Sequence, residues 1–292
     1  MNASPAARAR AAVLSLVRRG PREVIWAGPQ LNGGNHLYQW MLAHTLRKQN
    51  PQTYVRAVSN QAPWLEEFPA LRELTIEPRD MRVTDRRSVR LGQGFDSDFS
   101  REDLTAFCTT RLLSSPSFSR RLARMEEIVT PDVVTVNVRR GDYYGTRFEP
   151  EFGMRIAPFV DRALEVLVDR EAVGTVQIVS DDLEWCERAL AQLMRAGGIE
   201  ASFRRPGDDM FDDLAALAVS RRLVLANSTF SYWGAYLATV RGTRPGDVVC
   251  PFFHQRGFGA DRPWHHDPQW TVVPNIDGGW QVTSAGGTGV SR

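Results

Sequence analysis

Two arginines stand directly after an apolar stretch in the segment VTVNVRRGDYYG, which covers residues 134–145. A guanidinium keeps its proton at physiological pH, so Arg139 and Arg140 each need water, a carboxylate or an anionic ligand. Because side chains alternate along a strand, Asn137 and Arg139 should share one face, and Arg140 and Asp142 the other. We predict that Arg139 faces a ligand and that Arg140 is held by Asp142. The alternative is a pair of surface arginines, one of them salt-bridged.

A second group of polar residues follows an apolar strand in LVLANSTFSYWGAYLA, residues 223–238. Asn227, Ser228, Thr229 and Ser231 stand where a helix should begin. One such residue is enough to cap a helix, and a cap is the structural alternative. Because the stretch has more hydroxyls than a cap needs, we predict that they form a phosphate cradle with the free amides of the helix.

A third segment, QIVSDDLEWC at residues 177–186, also places polar side chains at the end of a strand. Ser180 or Asp181 can cap the following helix, and Glu184 adds a favourable charge in its first turn. The alternative is that a carboxylate at this strand end bonds a ribose or a base.

A glycine turn precedes the first helical pattern, in NGGNHLYQW at residues 32–40. Gly33 and Gly34 fit either close approach of the backbone to a ligand or a tight turn. The segment lacks the spacing of a dinucleotide fingerprint and the lysine of a phosphate-binding loop.

Strands and helices alternate regularly from Val133 onward, which predicts an α/β fold with parallel sheets. Ligands of such sheets bind beyond the carboxyl ends of the strands, where the three polar segments lie. We predict a basic, helical N-terminal segment (1–21), an N-terminal lobe (22–130), a C-terminal lobe (131–276) and a disordered tail (277–292). Residues 78–130 give no clear pattern.

The charge of the chain is nearly balanced, with 36 basic and 34 acidic residues and a net charge of +2. This argues against a general nucleic-acid binder but allows a local anion site. Three widely spaced cysteines predict reduced thiols and a cytoplasmic protein rather than a disulfide framework. The first twenty residues contain arginines and no acids, which fits a frayed helix or weak peripheral contact with the inner membrane face.

Taken together, NVRRGDYY, IVSDDLEWC, DDLAALAVSRRLVLANSTFSYWGAYLA and the turn LNGGNHLYQW resemble the α-1,2-fucosyltransferase family, glycosyltransferase family 11. The resemblance implies a GT-B-like fold, with two Rossmann-like domains, parallel sheets and a cleft between them. It implies inverting transfer of fucose from GDP-fucose to the 2-hydroxyl of a terminal galactoside-like acceptor, in surface glycan or polysaccharide synthesis. It also implies that no metal or other cofactor is required. The expected partners are a nucleotide-sugar donor and a glycan acceptor; the oligomeric state is left open.

The resemblance also assigns roles to individual residues. Arg139 becomes the leading diphosphate contact and, with Asp142, a catalytic residue. Asp181 would recognise the nucleotide, and Asn35 would lie near the reaction cleft. The full set of expected donor-binding residues is Asn35, Asn137, Arg139, Arg140, Asp181, Asn227, Ser228, Thr229 and Phe230.

The chain departs from the family at Asn137, which stands where the family has a histidine. Asparagine can donate a hydrogen bond but cannot be protonated. Because of this departure, the alternative function of a degenerate, non-catalytic protein that binds a nucleotide or a glycan stays open. The general base also stays unassigned, because the predicted ion pair of Asp142 with Arg140 argues against Asp142.

A metal-dependent GT-A-type transferase is the second alternative. It would use Asp96 and Asp98 of the DSD segment as Mn²⁺ ligands, although such pairs are common by chance. Adjacent histidines rarely face one metal, so His265 and His266 in WHHD do not predict a metal site.

Overall fold

The computed structural model describes residues 17–26, 28, 31–203, 205, 207, 209–256, 263–274 and 276. The chain divides into two compact units, Met1–Ser115 and Pro116–Arg292. Most of the predicted N-terminal segment and the whole predicted tail, residues 1–16 and 277–292, lie outside the described residues.

The first unit contains a four-stranded parallel sheet with the strand order β3-β2-β1-β4. Its longest described helix, α1, begins after the glycine turn and buries both its apolar residues and His36 and Gln39. The elements of this unit are β1 (Glu23–Ile25), α1 (Gly34–Leu46), β2 (Thr53–Arg56), α2 (Ala62–Glu67), β3 (Thr75–Ile76), β4 (Arg86–Ser88) and α3 (Arg101–Phe107).

The second unit contains a six-stranded parallel sheet with the strand order β10-β9-β8-β5-β6-β7. The α/β class with parallel sheets is therefore confirmed, with one sheet in each unit. The elements of the second unit are α4 (Pro116–Ile128), β5 (Val133–Val138), α5 (Glu149–Phe152), α6 (Ile156–Val168), β6 (Thr175–Ser180), α7 (Leu183–Ala196), β7 (Glu200–Ser202), α8 (Met210–Val219), β8 (Arg222–Val224), α9 (Thr229–Val240), β9 (Val248–Pro251) and β10 (Thr271–Val273).

Strand β5 lies at the centre of the second sheet, between β8 and β6, and all six of its residues are buried. Four of these residues are valines, whose branched side chains favour a strand that is covered on both faces. Val134, Val136 and Val138 pack in a hydrophobic core with helices α6 and α7. A strand fixed in this way holds the residues that follow Val138 at a defined place on the carboxyl edge of the sheet.

The boundary between the units differs from the predicted one at residue 130. Helix α4 belongs to the second unit, because it packs along α8. Arg121 on α4 donates hydrogen bonds to Asp209 at 2.8 Å and to the fully buried Asp212 at 2.7 Å. The ion pairs and the packing between α4 and α8 therefore place α4 in the second unit. These two helices are far apart in the sequence, so the pattern around residue 130 does not indicate their contact.

Residues 78–130, which give no clear pattern in the sequence, contain strand β4 and helices α3 and α4. The very short strands β3 and β10 were not predicted either, since two or three residues are too few to show an alternating pattern. No helix in the described part of the chain is long and apolar enough to cross a lipid bilayer.

Candidate functional site

The residues after β5 do not continue the alternation of the strand. The strand ends at Val138, and Gly141–Tyr143 form a single 3₁₀ turn that folds the chain back. This turn brings Asp142 to Arg139, whose Nη2 donates to Asp142 Oδ1 at 2.7 Å. The prediction that Asp142 holds Arg140 is therefore wrong, because strand alternation was extended past the end of the strand.

Arg139 lies between two carboxylates at the carboxyl edge of the sheet. Its Nη1 is 2.6 Å from Asp181 Oδ2, and its side chain is 37% exposed. Burial lowers the pKa of Arg139, but the charges of Asp181 and Asp142 outweigh it, so the pKa lies above its ordinary value. The guanidinium is thus a fixed and permanent positive charge that solvent can still reach.

Gly141 leaves room for this arrangement. A Cβ atom at residue 141 would lie 2.4 Å from Asp181 Oδ2 and 3.3 Å from Arg139 Cζ. Asp181 is also held from the other side, because its Oδ1 accepts a hydrogen bond from the Arg140 amide at 2.8 Å. Any larger residue at position 141 would displace the carboxylate that orients Arg139.

Arg140 points toward the start of helix α7. Its Nε donates to Asp182 Oδ2 at 3.0 Å, and its Cζ lies 4.1 Å from the ring centre of Trp185 and 4.4 Å from that of Tyr144. One ion pair and two aromatic faces therefore hold this guanidinium in place. Arg140 ties the loop to α7, and these contacts give it a positioning role beside Arg139.

The helix cap at this edge is Asp182, where Ser180 or Asp181 was predicted. Asp182 Oδ1 accepts a hydrogen bond from the Trp185 amide at 3.1 Å. The strand runs through Ser180, so the cap falls two residues after Ser180 and one residue after Asp181. Since Asp182 caps α7, Asp181 is left to contact Arg139; its role in recognising a nucleotide stays a prediction.

Helix α9 begins at the same edge without a side-chain cap. Ser228 is its N-cap residue but makes no capping hydrogen bond, whereas Asp182 caps α7 and Asp209 caps α8. The hydroxyls of Ser228 and Thr229 form no hydrogen bond within the described part of the chain. The amide groups of the first turn and these hydroxyls can therefore receive an anion. Phe230 follows them and is half-buried.

Asn137 links the strand to this helix. Its Nδ2 donates to the Val179 carbonyl at 2.9 Å, and its Oδ1 accepts a hydrogen bond from the Ser231 hydroxyl. The residue is only 7% exposed. Both ends of the Asn137 amide are thus used inside the protein, and they place the first turn of α9 beside the end of β5.

Asn227 also has internal partners. Its Nδ2 donates at 2.9 Å to the Phe152 carbonyl and at 2.9 Å to the His254 carbonyl. It therefore joins the loop before α9 to the end of α5 and to the segment that contains His254. The hydrogen bonds of Asn227 hold these segments together. A contact of Asn227 with the donor stays a prediction, as it does for Asn137.

A row of aromatic side chains in contact with one another lies next to Arg139, and the sequence did not predict this group. Tyr143 stacks on Phe152 with ring centres 4.7 Å apart, and Arg139 Cζ lies 5.6 Å from the Tyr143 ring. Phe152 then contacts His254 edge-on at 6.0 Å. The two tyrosines after RRGD were visible in the sequence, but Phe152 and His254 come from distant segments and give no local signal.

Asn35 lies in the first unit, at the start of α1. Its Oδ1 accepts a hydrogen bond from Gln93 Nε2 at 2.7 Å. The preceding Gly33 has a φ of 53°, a left-handed conformation that favours glycine. The tight turn at this place is confirmed, and a contact of Asn35 with a ligand stays a prediction.

Of the residues considered as metal ligands, Asp98, His265 and His266 have other contacts. Asp98 accepts hydrogen bonds from Arg90 at 2.8 Å and from the Gly94 amide at 3.0 Å. His265 and His266 are buried among aromatic rings, including Tyr232. Across the described residues, no group of three or more His, Cys, Asp or Glu side chains is arranged to hold a metal ion.

The buried histidines should make the second unit sensitive to acid. Burial lowers the pKa of His254 from 6.5 to about 4 and also lowers that of His265. Below pH 6.5 the unfolded chain binds protons that the folded state excludes, so the free energy of unfolding should fall between pH 6.5 and about 4. For His254 alone the fall should be about 3 kcal/mol.

Urea unfolding at several pH values would measure this fall. His254→Asn is the matched variant, because asparagine can keep a hydrogen bond to Tyr232, which His254 Nδ1 makes at 3.1 Å. The variant should lose stability less steeply between pH 6.5 and 5 than the wild type. Equal slopes in both proteins would contradict the assignment.

Comparison with known proteins gives one family match. Residues 105–249 match the model of glycosyl transferase family 11. The O-antigen biosynthesis glycosyltransferase WbnK of Escherichia coli is 26% identical over 110 residues, which are 37% of this chain and 35% of that protein. The alignment therefore spans about a third of the length of that relative.

Solved structures give weaker likenesses. POFUT1 in complex with GDP has a TM-score of 0.38 at 14% identity, over 82% of this chain and 77% of that one. A glycosyl transferase family 9 protein from Veillonella parvula DSM 2008 has a TM-score of 0.43 at 11% identity, over 88% and 86% of the chains. The resemblance in the motifs and the family model agree: residues 105–249 are similar to glycosyl transferase family 11.

Proposed function

We propose that this protein is an inverting glycosyltransferase that moves fucose from GDP-fucose to the 2-hydroxyl of a terminal galactoside-like acceptor. The match of residues 105–249 to the model of glycosyl transferase family 11 supports this proposal, as does the similarity to a relative named for O-antigen biosynthesis. We further propose that the reaction belongs to surface glycan or polysaccharide synthesis, needs no metal, and takes place in the cytoplasm. Weak contact of the basic N-terminus with the inner membrane face would be consistent with that location.

The observation that carries the proposal is the position of Arg139 relative to helix α9. Strand β5 lies between β6 and β8, so its carboxyl end adjoins the loop that leads from β8 into α9. The hydrogen bond between Ser231 and Asn137 brings the first turn of α9 to the same edge. A fixed guanidinium therefore shares this edge with uncapped helix amides and two hydroxyls, a combination suited to a diphosphate.

The proposed chemistry follows from this charge distribution. The oxygen of the acceptor hydroxyl forms a bond to the anomeric carbon of fucose on the face opposite the leaving group. The bond from that carbon to the β-phosphate oxygen breaks, and its electron pair leaves with GDP. Arg139 and the α9 amides would stabilise the negative charge that develops on the diphosphate. The proton of the acceptor hydroxyl passes to a base that we leave unassigned.

Asp142 and Asp181 would act through Arg139. Each carboxylate holds one side of the guanidinium, at 2.7 and 2.6 Å, and so fixes its direction before the donor binds. Preorganised charge is effective in catalysis because it needs no rearrangement during the reaction. One Asp142 oxygen bonds Arg139, and the 59% exposure of this side chain leaves it within reach of solvent.

Ligand-dependent melting tests the donor assignment. GDP and GDP-fucose should raise the melting temperature, UDP-galactose should not, and EDTA should leave the shift unchanged. At a ligand concentration 100 times the dissociation constant, the stabilisation should be about 3 kcal/mol. GDP-mannose shares the nucleotide with GDP-fucose but carries a different sugar, so it tests whether the shift depends on fucose. If no guanine nucleotide changes the melting temperature, the donor assignment is lost, and an EDTA-sensitive shift would favour a metal-dependent transferase.

A further inference from the structure

Two arginines of the first unit stack on one tryptophan. Arg56 Cζ lies 4.2 Å from the centre of the Trp26 ring, and Arg87 Cζ lies 4.7 Å from it. Trp26 is half-buried and Arg87 is exposed, so the group is open to solvent. These contacts with the ring restrain both guanidinium groups, which reduces the entropy lost when they bind a further group.

The strand register explains why these side chains meet. Val24 of β1 pairs with Tyr54 of β2 and with Arg87 of β4. Trp26 comes two residues after Val24, and Arg56 two residues after Tyr54, so all of them share one face of the sheet. Trp26 and Arg56 stand at the carboxyl ends of their strands, where ligands of parallel sheets bind.

A third positive charge lies close to this pair. The Nε of Arg18 is buried and has no hydrogen-bond partner among the described residues. Burial lowers the pKa of Arg87, and the charges of Arg18 and Arg56 lower it further, while Asp85 acts in the opposite sense. Asp85 is itself bound by Arg22 at 2.8 Å.

Other arginines of this unit have their own acidic partners. Arg22 pairs with Asp85, Arg90 with Asp98 and Arg111 with Glu73. Within the described residues, no carboxylate lies within ion-pair distance of Arg18, Arg56 or Arg87. Positive charges that act on one another without an acid in ion-pair contact destabilise one another, so this arrangement favours binding of an anion.

We propose that Trp26, Arg56 and Arg87 form a binding site for a phosphate or diphosphate group. Arg56 and Arg87 come from the two strands that flank β1, so they reach Trp26 from opposite sides of that strand. A diphosphate has two phosphate groups and can bond one guanidinium group with each, whereas one carboxylate matches one guanidinium fork. This binding does not depend on the transferase reaction. Its use to hold a phosphate-bearing acceptor does rest on the proposed function.

Calorimetric titration with inorganic pyrophosphate tests the site in the full-length protein. Saturating GDP and, separately, the Arg139→Ala variant remove the contribution of the second unit. The double variant Arg56→Gln/Arg87→Gln should weaken pyrophosphate binding at least tenfold. The matched control Arg79→Gln/Arg82→Gln removes the same charge from two exposed arginines of this unit and should change the affinity less than twofold.

Sedimentation with vesicles identifies the source of the phosphate. Binding to phosphatidylglycerol vesicles but not to phosphatidylcholine vesicles, lost in Arg56→Gln/Arg87→Gln, would assign it to a lipid headgroup. Pyrophosphate binding without sedimentation would assign it to a soluble or glycan-borne phosphate. Either outcome supports the site. If the double variant does not fold, as judged by circular dichroism, Arg87→Gln alone replaces it, since Arg87 is exposed.

Three results would overturn the inference. The wild type could bind neither probe, the double variant could bind both as well as the wild type, or the control variant could lose as much affinity as the double variant. A different result would contradict the proposed function alone. If GDP did not bind but pyrophosphate still bound through Arg56 and Arg87, the proposed donor site would be lost and the phosphate site at Trp26 would stand.

Discussion

Replacing Arg139 with alanine should lower kcat/KM for fucosyl transfer by about 100-fold or more, which corresponds to about 3 kcal/mol of lost transition-state stabilisation. The guanidinium is held by Asp142 at 2.7 Å and by Asp181 at 2.6 Å, so it is already oriented before a donor binds. Because the charge on the leaving diphosphate grows during the reaction, kcat should fall more than the affinity for GDP-fucose. Steady-state kinetics with GDP-fucose and a galactoside acceptor would measure both.

The control for this experiment is Arg162→Ala. Arg162 is 61% exposed and pairs with Glu165 on helix α6, so its loss should leave kcat/KM within about twofold. Arg139→Lys provides a finer comparison, because lysine keeps the charge but lacks the planar fork, and an intermediate rate is expected. Nearly full activity in Arg139→Ala would contradict the central assignment.

Loss of Arg139 also leaves Asp142 and Asp181 without their shared cation, and their repulsion could by itself disturb the loop. The double variant Arg139→Ala/Asp142→Ala removes one of these charges, and Asp142 is 59% exposed, so its truncation should cost little stability. If the low activity came only from this repulsion, the double variant would regain it. We expect it to remain as inactive as Arg139→Ala, with a melting temperature near that of the wild type.

The regular part of the second unit could be predicted from the sequence because local pattern and tertiary environment agree there. The run VVTVNV is both β-prone and buried, and the helices after it have clear apolar faces. The placement of Arg139 at the carboxyl edge of the sheet follows from that pattern. Residues 78–130 could not be assigned in this way. Strand β4 and helix α3 are only three and seven residues long, whereas the 13-residue helix α4 buries Phe118, Leu122 and Met125 at helical spacing and was missed.

At the candidate site, it was harder to predict which carboxylate pairs with which arginine than to predict where the arginines lie in the fold. Asp142 and Arg139 meet because the chain turns at Gly141, and a turn reverses the faces that strand alternation would assign. Arg140 bonds Asp182 because β6 runs through Ser180 and helix α7 is capped by Asp182 rather than by Ser180 or Asp181. A shift of one or two residues at an element end is enough to exchange ionic partners, and the sequence alone does not fix such ends.

Asn137 stands where the family that the chain resembles has a histidine, and this difference was the ground for the alternative of a degenerate, non-catalytic protein. Its amide bonds the Val179 carbonyl and the Ser231 hydroxyl inside the protein. The first of these bonds ties β5 to β6, and the second ties β5 to the start of helix α9. An asparagine in this position therefore has a structural reason to be present, and it gives no ground for a loss of activity.

Replacing Asn137 with alanine should lower the free energy of unfolding of the second unit by about 3 kcal/mol. The change leaves two buried polar groups without partners, and each such group costs about 1–3 kcal/mol. For a unit of this size the melting temperature should fall by roughly 6–12 °C. Calorimetry of the variant beside Gln192→Ala, which truncates an exposed amide on helix α7, would separate the buried contacts from a general effect.

Asn137→His tests the family residue directly. The site is only 7% exposed, and an imidazole is larger than the amide it would replace, so overpacking should cost about 1–3 kcal/mol. We expect no gain in GDP affinity, because the side chain at this position bonds Val179 and Ser231. The opposite pattern, a stable Asn137→Ala protein with tenfold weaker GDP binding, would mean that Asn137 contacts the donor. Histidine at this position would then be expected to strengthen that contact, and its charge state would enter the mechanism.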